Sequence, residues 1–405
     1  MAKNKDKKKK RYVRLRHRIY IGILKVLAYL IIKFKYHFKF EKIKDKRAYL
    51  VLFNHQTSAD QFFIYYMFPR PLYFIATEDL FSTGFLAKIL VHIAAPIPFK
   101  KSTNDVRATM QCMKIAKEGG SIALSPEGNR TYSGKTVYIK PAIAKFAKAL
   151  GMPIALVHIH GGFGAKPRFS DVIRKGPINL YFHKIIEKEE YDKMSNEEFL
   201  DVITKGLYVD ESYSEYEYKS KKHAEYLERV IYVCPKCGLS EFYSKNDTIT
   251  CKHCGYETIY NGHNQFDDRS KFKSVSEWYE YQENYISSLK LSDFQDIIYM
   301  DKVLLQKVIL YKKKEKIDKN AEIYLYNNRY VIKTKDKEYE WLFDDISTVS
   351  VLGKNKCNIY IGDDLYQIKG NKRFNPLKYM NIYYHYKNLM SGEEITSARR
   401  EFLGL

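Results

Sequence analysis

Tyr49-Leu50-Val51-Leu52-Phe53-Asn54-His55-Gln56-Thr57-Ser58-Ala59-Asp60 decides how the N-terminal half of this chain is read. Residues 49–53 form a short apolar run, the pattern of a buried strand. Ser58 with Gln61 has the spacing of a capping box, which predicts a helix beginning there and carrying Gln61 to Met67. His55 then sits in the strand-to-helix turn, and Asp60 lies in the first helical turn. A carboxylate that reaches the ring fixes its tautomer and stabilises the imidazolium, so the pair has the chemistry of a general base. Loop histidines beside an acidic residue are also common without catalysis, and this stretch alone leaves both readings open.

Outward from it, residues 47–177 alternate strand-like apolar runs with amphipathic segments. Pro71 to Ala76, Ser121 to Leu124 and Pro153 to His158 read as strands. Asp105 to Lys117 and Ala142 to Leu150 carry helical spacing, and Gly151 closes the second. Strands separated by helices predict an α/β domain with a largely parallel sheet. The polar stretch 184–230 has helical character, with Ser195 and Glu198 forming another capping box.

A second group, Ser125-Pro126-Glu127-Gly128-Asn129-Arg130-Thr131, follows the strand at 121–124 directly. Gly128 allows a turn or a close ligand approach, and Arg130 offers a planar fork for phosphate or carboxylate. Together with the first group it resembles the glycerolipid acyltransferases, the lysophosphatidic acid acyltransferase family. The family's Asn-His-Gln-Ser-x-x-Asp block, with its His-x4-Asp motif, is matched by Asn54, His55, Gln56 and Asp60, with Thr57 for Ser. Its Pro-Glu-Gly-Thr-Arg-Ser block is matched by Pro126, Glu127, Gly128 and Arg130, with Asn129 and Thr131 as departures. A block around a proline resembles Met152 to Val157. The family's Gly-x-x-Phe-Ile-x-Arg block has its best match in Ala95 to Lys101, where Lys101 stands for the arginine that helps hold the acceptor phosphate.

The resemblance covers roughly half of the chain and implies a mechanism. His55 takes a proton from the acceptor hydroxyl as it attacks an acyl thioester of acyl-carrier protein or coenzyme A, and Asp60 orients the ring. Arg130 and Lys101 clamp the phosphate of a lysophospholipid. Glu127 and Gly128 contribute to the substrate loop, Glu127 by shaping it or by touching the glycerol. The implied reaction converts 1-acyl-glycerol-3-phosphate to phosphatidic acid without a catalytic cofactor. Two alternatives stay open: an O-acyltransferase with a different lyso-lipid or glycerol-phosphate acceptor, and an inactive membrane-associated scaffold.

The chain has 405 residues and a formal net charge of +22, which sets two or three domains and a polyanionic partner as the starting expectation. Residues 1–18 hold ten Lys or Arg against one acid, Asp6. The apolar run 19–32 follows, interrupted by Lys25 and flanked by Lys33 and Lys35. Fourteen helical residues reach only about 21 Å, against about 30 Å of hydrocarbon, so residues 19–36 are expected to lie in a membrane interface. The basic tail adds attraction to an anionic leaflet at about 1 kcal/mol per cation. The expected location is the cytoplasmic face of a membrane, peripheral or monotopic.

In the second half, Cys234-Pro-Lys-Cys237-Gly and Cys251-Lys-His-Cys254-Gly form two Cys-x2-Cys knuckles, a zinc-ribbon pattern with four thiolates for one structural Zn2+. Lys236, Lys245 and Lys252 are balanced by Glu241, Asp247 and Glu257, so no nucleic-acid partner is expected. Short strands follow, from Val308 to Lys369, then a helix from Pro376 to Leu389, an order resembling pleckstrin-homology or GRAM folds. The expected division is a basic tail (1–18), an interfacial helix (19–36), an acyltransferase domain (37–215), a connector (216–230), the ribbon (231–260), a helical connector (261–300), a β-rich domain (301–391) and a tail (392–405).

Overall fold

The computed structural model describes residues 11–81, 85–99, 105–309 and 314–391. The N-terminal half is built on one sheet. Its strands are β1 (Lys39–Phe40), β2 (Leu50–Phe53), β3 (Leu72–Thr77), β4 (Ile97–Phe99), β5 (Ser121–Leu124), β6 (Ile154–His160) and β7 (Asn179–Ile186), in the order β1-β7-β6-β2-β5-β3-β4. The central pairings β2–β5, β2–β6, β3–β5 and β3–β4 are parallel, and β7 runs antiparallel to β6.

All four residues of β2 are buried because both faces are covered. Leu50 and Leu52 enter one core, under α5 (Val106–Lys117), α6 (Ala142–Leu150) and α9 (Asn196–Leu207). Val51 and Phe53 enter the other, under α1 (Leu15–Tyr36) and α2 (Asp60–Ile64). Each fully buried aliphatic side chain contributes about 1.5–3 kcal/mol, so this alternation pins the strand's register. Smaller helices complete the half: α3 (Glu78–Phe81), α4 (Phe85–Ala94), α7 (Gly162–Ala165) and α8 (Lys188–Tyr191).

The capping box at Ser195 and Glu198 forms as its spacing predicts. The one at Ser58 does not: α2 starts at Asp60, Ala59 precedes it, and Gln61 turns its amide back to the Ser58 carbonyl. The helix α1 begins before the apolar run and spans 22 residues. Lys25, the interruption in that run, donates its ammonium to the Phe68 carbonyl at 2.7 Å and so faces the domain. Among the described residues no helix is long and apolar enough to cross a membrane.

The ribbon comprises β8 (Val233–Cys234), β9 (Gly238–Leu239), β10 (Phe242–Lys245), β11 (Thr248–Cys251) and β12 (Glu257–Ile259), followed by α10 (Val275–Ser288). The C-terminal strands are β13 (Tyr299–Lys307), β14 (Glu315–Leu325), β15 (Arg329–Lys333), β16 (Glu338–Leu342), β17 (Ile346–Leu352), β18 (Lys356–Ile361) and β19 (Asp364–Gly370). They form one antiparallel sheet in the order β16-β15-β14-β13-β19-β18-β17, a half-barrel closed by α11 (Leu377–Met390). The expected strand at Val308 to Tyr311 falls partly on residues 310–313, outside the described residues. The first strand instead runs from Tyr299, where Asp301 and Lys302 interrupt the apolar alternation that would have marked it.

Nine consecutive residues of α11, Leu377 to His385, are buried, which requires packing on every side of the helix. A single hydrophobic core explains this, running from Phe163 and Phe169 through Cys234, Cys251 and Trp278 to the half-barrel.

Candidate active site

Three neighbouring strands, β2, β5 and β6, end on the same side of the sheet, and each runs into a loop that meets the other two. Asn54 continues the β2–β6 pairing with a side chain: its Nδ2 donates to the Ile159 carbonyl (2.9 Å) and its Oδ1 accepts from the Ile159 amide (2.7 Å). Gln56 Oε1 accepts from the Phe163 amide at 3.2 Å. Flanked by these two anchors, His55 is turned toward the β5 loop. Its amide donates to Glu127 Oε1 (2.6 Å), and its carbonyl accepts from the Thr131 amide (2.9 Å).

His55 Nδ1 lies 2.8 Å from Asp60 Oδ2. Asp60 is fully buried and also accepts from the Gln56 amide (2.8 Å), the Thr57 amide (2.9 Å to Oδ1) and the Thr57 hydroxyl (2.6 Å). Four donors converge on this carboxylate, the ring among them, so the ring hydrogen sits on Nδ1 and Nε2 is left as the acceptor. The imidazole is one-quarter exposed. Burial lowers its pKa below the ordinary histidine value; Asp60 opposes the shift, and the charges of Arg130 and Arg168 add to it. A ring kept neutral, oriented and open on one side can take a proton.

Glu127 is buried with both oxygens engaged, Oε1 by His55 and Oε2 by the Val137 amide at 2.8 Å. Burial pushes its carboxyl up to about 8, against the pull of the two amides. Gly128 is exposed and has φ +68°, a conformation that glycine adopts without strain. Arg130 has its carbonyl bound by Arg168 Nη1 at 2.8 Å, while its guanidinium makes no hydrogen bond or ion pair to any described residue. Burial, then the charge of Arg168, lowers its pKa to about 10. Lys101 lies outside the described residues. His55, Asp60, Glu127 and Arg130 thus share one loop cluster. Thr57, Gln56 and Arg168 complete it; Thr57 stood in the sequence as a departure from the family block, and Arg168 carries no motif at all.

The four ribbon cysteines come together away from this cluster, their sulfurs all within 4.8 Å of one another. Cys234 Sγ and Cys254 Sγ are 3.6 Å apart, as are Cys237 Sγ and Cys251 Sγ. Zn–S bonds of about 2.3 Å in a tetrahedron require S···S edges of about 3.8 Å, so the set fits a structural Zn2+ with no position left for a substrate. The Lys236 amide donates to Cys234 Sγ at 3.4 Å, and Ser240 Oγ lies 3.0 Å from Cys251 Sγ, the outer contacts such a thiolate set uses.

Comparisons with known proteins match two stretches of the chain. Residues 34–160 match the family described as Acyltransferase, and residues 227–262 match a zinc-ribbon family described as DNA directed RNA polymerase, 7 kDa subunit. The chain therefore carries a stretch similar to the acyltransferase family, followed by one similar to a zinc ribbon. A 1-acyl-sn-glycerol-3-phosphate acyltransferase of Borreliella burgdorferi is 24% identical over 162 residues, 38% of this chain and 63% of that protein. The chain thus spans less than two thirds of this relative. The crystal structure of the 1-acyl-sn-glycerophosphate (LPA) acyltransferase PlsC from Thermotoga maritima superposes with a TM-score of 0.42 at 20% identity, over 48% of this chain and 81% of that one.

Proposed function

We propose that the chain transfers a fatty acyl group from a thioester of acyl-carrier protein or coenzyme A to the free hydroxyl of 1-acyl-glycerol-3-phosphate, giving phosphatidic acid. The observation that carries this reading is the His55–Asp60 pair, 2.8 Å apart, beside an Arg130 whose guanidinium is unengaged among the described residues. His55 Nε2 accepts the hydroxyl proton as the oxygen attacks the thioester carbonyl. When the C–S bond breaks, the imidazolium returns that proton to the leaving thiolate. Asp60 keeps the ring in the required tautomer. Arg130 binds the acceptor phosphate, with Lys101 as the second cation of the clamp.

Glu127 serves the site by shaping its loop, since both of its oxygens are taken by backbone amides. A base of this kind supplies about 10²–10⁴-fold, and positioning of the acceptor supplies much of the rest. The acceptor comes from a membrane surface on which α1 lies. Its outer face exposes Ile23, Val26, Leu27, Leu30, Ile31 and Phe34, while Lys25 on the inner face is bound to the domain. That face and the basic residues 1–18 support peripheral attachment at the cytoplasmic leaflet.

The test is acyl transfer to lysophosphatidic acid by wild type and His55→Ala. Wild-type protein that transfers no more than the variant overturns the reading. Transfer only to other lyso-lipids favours the second acceptor class, which the Lys101 and Asn129 departures support.

A further inference from the structure

Arg168 is buried, and among the described residues no carboxylate pairs with it. Its donors are spent on three backbone carbonyls instead: Arg130 (2.8 Å), Val351 (3.2 Å) and Gly353 (3.2 Å). The first belongs to the loop after β5, and the other two belong to the β17–β18 hairpin of the half-barrel. The guanidinium also lies over the ring of Tyr132, 3.8 Å from its centroid, and Tyr132 stacks on Tyr279 of α10.

The next three residues are gripped from the same side. Phe169 gives its carbonyl to Arg229 Nη1 at 2.7 Å and its ring to the shared core. Ser170 gives its carbonyl to the Lys354 ammonium. Asp171 accepts from Lys354 (2.6 Å) and Arg229 (2.8 Å). A guanidinium is suited to this bridging because its planar fork presents several donors in fixed directions, whereas an ammonium is a single point.

We infer that Arg168 is a positioning residue that couples the β17–β18 hairpin to the Arg130 loop, so that the C-terminal half-barrel is a working part of the acceptor-phosphate site. The inference rests on the proposed function only in naming that phosphate. One end of the bridge holds the main chain of the residue that binds the acceptor, and the other end is a turn some two hundred residues later in the sequence. Gly353 has φ +64°, so a side chain there strains the turn and displaces its carbonyl.

The full-length chain carries the test, in three variants: Arg168→Lys, which keeps the charge and loses the fork, Gly353→Val, which disturbs only the hairpin, and Arg130→Ala. Amide hydrogen exchange is read at Thr131 to Gly134, with acceptor KM and kcat read beside it. Arg168→Lys and Gly353→Val are each expected to raise exchange there and acceptor KM by about tenfold, with kcat changed less than about threefold. In an Arg130→Ala background neither should raise KM further. Unchanged exchange at Thr131 to Gly134, or KM effects that add to those of Arg130→Ala, overturns the coupling. A wild type without acyl transfer refutes the proposed function, and the exchange experiment still decides the coupling.

Discussion

Replacing Asp60 by Asn removes a charge without removing volume, and the geometry dictates two bad alternatives. The carboxylate receives His55 Nδ1 and the Gln56 amide on Oδ2, and the Thr57 hydroxyl and an amide contact on Oδ1. An asparagine presents one acceptor and one donor to these groups. If its NH2 faces Thr57, the buried Thr57 hydroxyl loses its acceptor and the Thr57 amide keeps only its 3.0 Å contact to the other oxygen. If its NH2 faces His55, the ring must move its hydrogen to Nε2, the atom that has to take the substrate proton. Each stranded buried group costs about 1–3 kcal/mol, and losing the base costs about 10²–10⁴-fold, with each tenfold step worth about 1.4 kcal/mol. Asp60→Asn should therefore lower kcat at least about a hundredfold and lower the unfolding midpoint together with it. Steady-state transfer to lysophosphatidic acid and thermal unfolding of the same preparation measure both. A variant within about threefold of wild type in kcat at neutral pH would refute the assignment of Asp60 as the partner of a base.

The remaining predictions concern pH, metal and membrane. His55 must be neutral to act, and burial lowers its pKa with Arg130 contributing, so the acid limb of kcat/KM should fall below pH of about 6.5. Arg130→Gln removes one cation that disfavours the imidazolium, so the limb should move to higher pH; a downward shift or none contradicts the electrostatic account. Purified protein should hold about one zinc per chain, measured by elemental analysis, and Cys237→Ser should lower both the metal content and the near-ultraviolet dichroism of the core around Trp278. Leu27→Asp with Ile31→Asp should reduce sedimentation with anionic vesicles without moving the unfolding midpoint, because both side chains are exposed.

Much of the N-terminal half is readable one residue at a time. The β2, β5 and β6 runs are continuous and apolar because both faces of a parallel sheet are covered, and Gly151 ends its helix at φ +62° as a glycine in that position should. Other features escaped the sequence for specific reasons. Ser58 and Gln61 have capping-box spacing, but Asp60 ties the Gln56 and Thr57 amides and the His55 ring into one turn, Thr57 Oγ1 takes the Ala59 amide, and the helix starts at Asp60 instead. Glu127 has the residue type of a substrate contact, yet its two oxygens are consumed by the amides of His55 and Val137, a fact that depends on how two loops meet.

By itself the sequence determined what repeats locally or is carried by residue type: the strand–helix alternation, the His-x4-Asp spacing, the two Cys-x2-Cys knuckles and the apolar stretch of α1. Only the tertiary structure decided which of these act together. It made one core of the ribbon, α10, the half-barrel and Phe169, and it spent Arg168 on carbonyls of Arg130, Val351 and Gly353. The reason is physical. Backbone carbonyls are present at every residue and carry no sequence signature, so a side chain that reads them leaves no motif until the chain has folded around it.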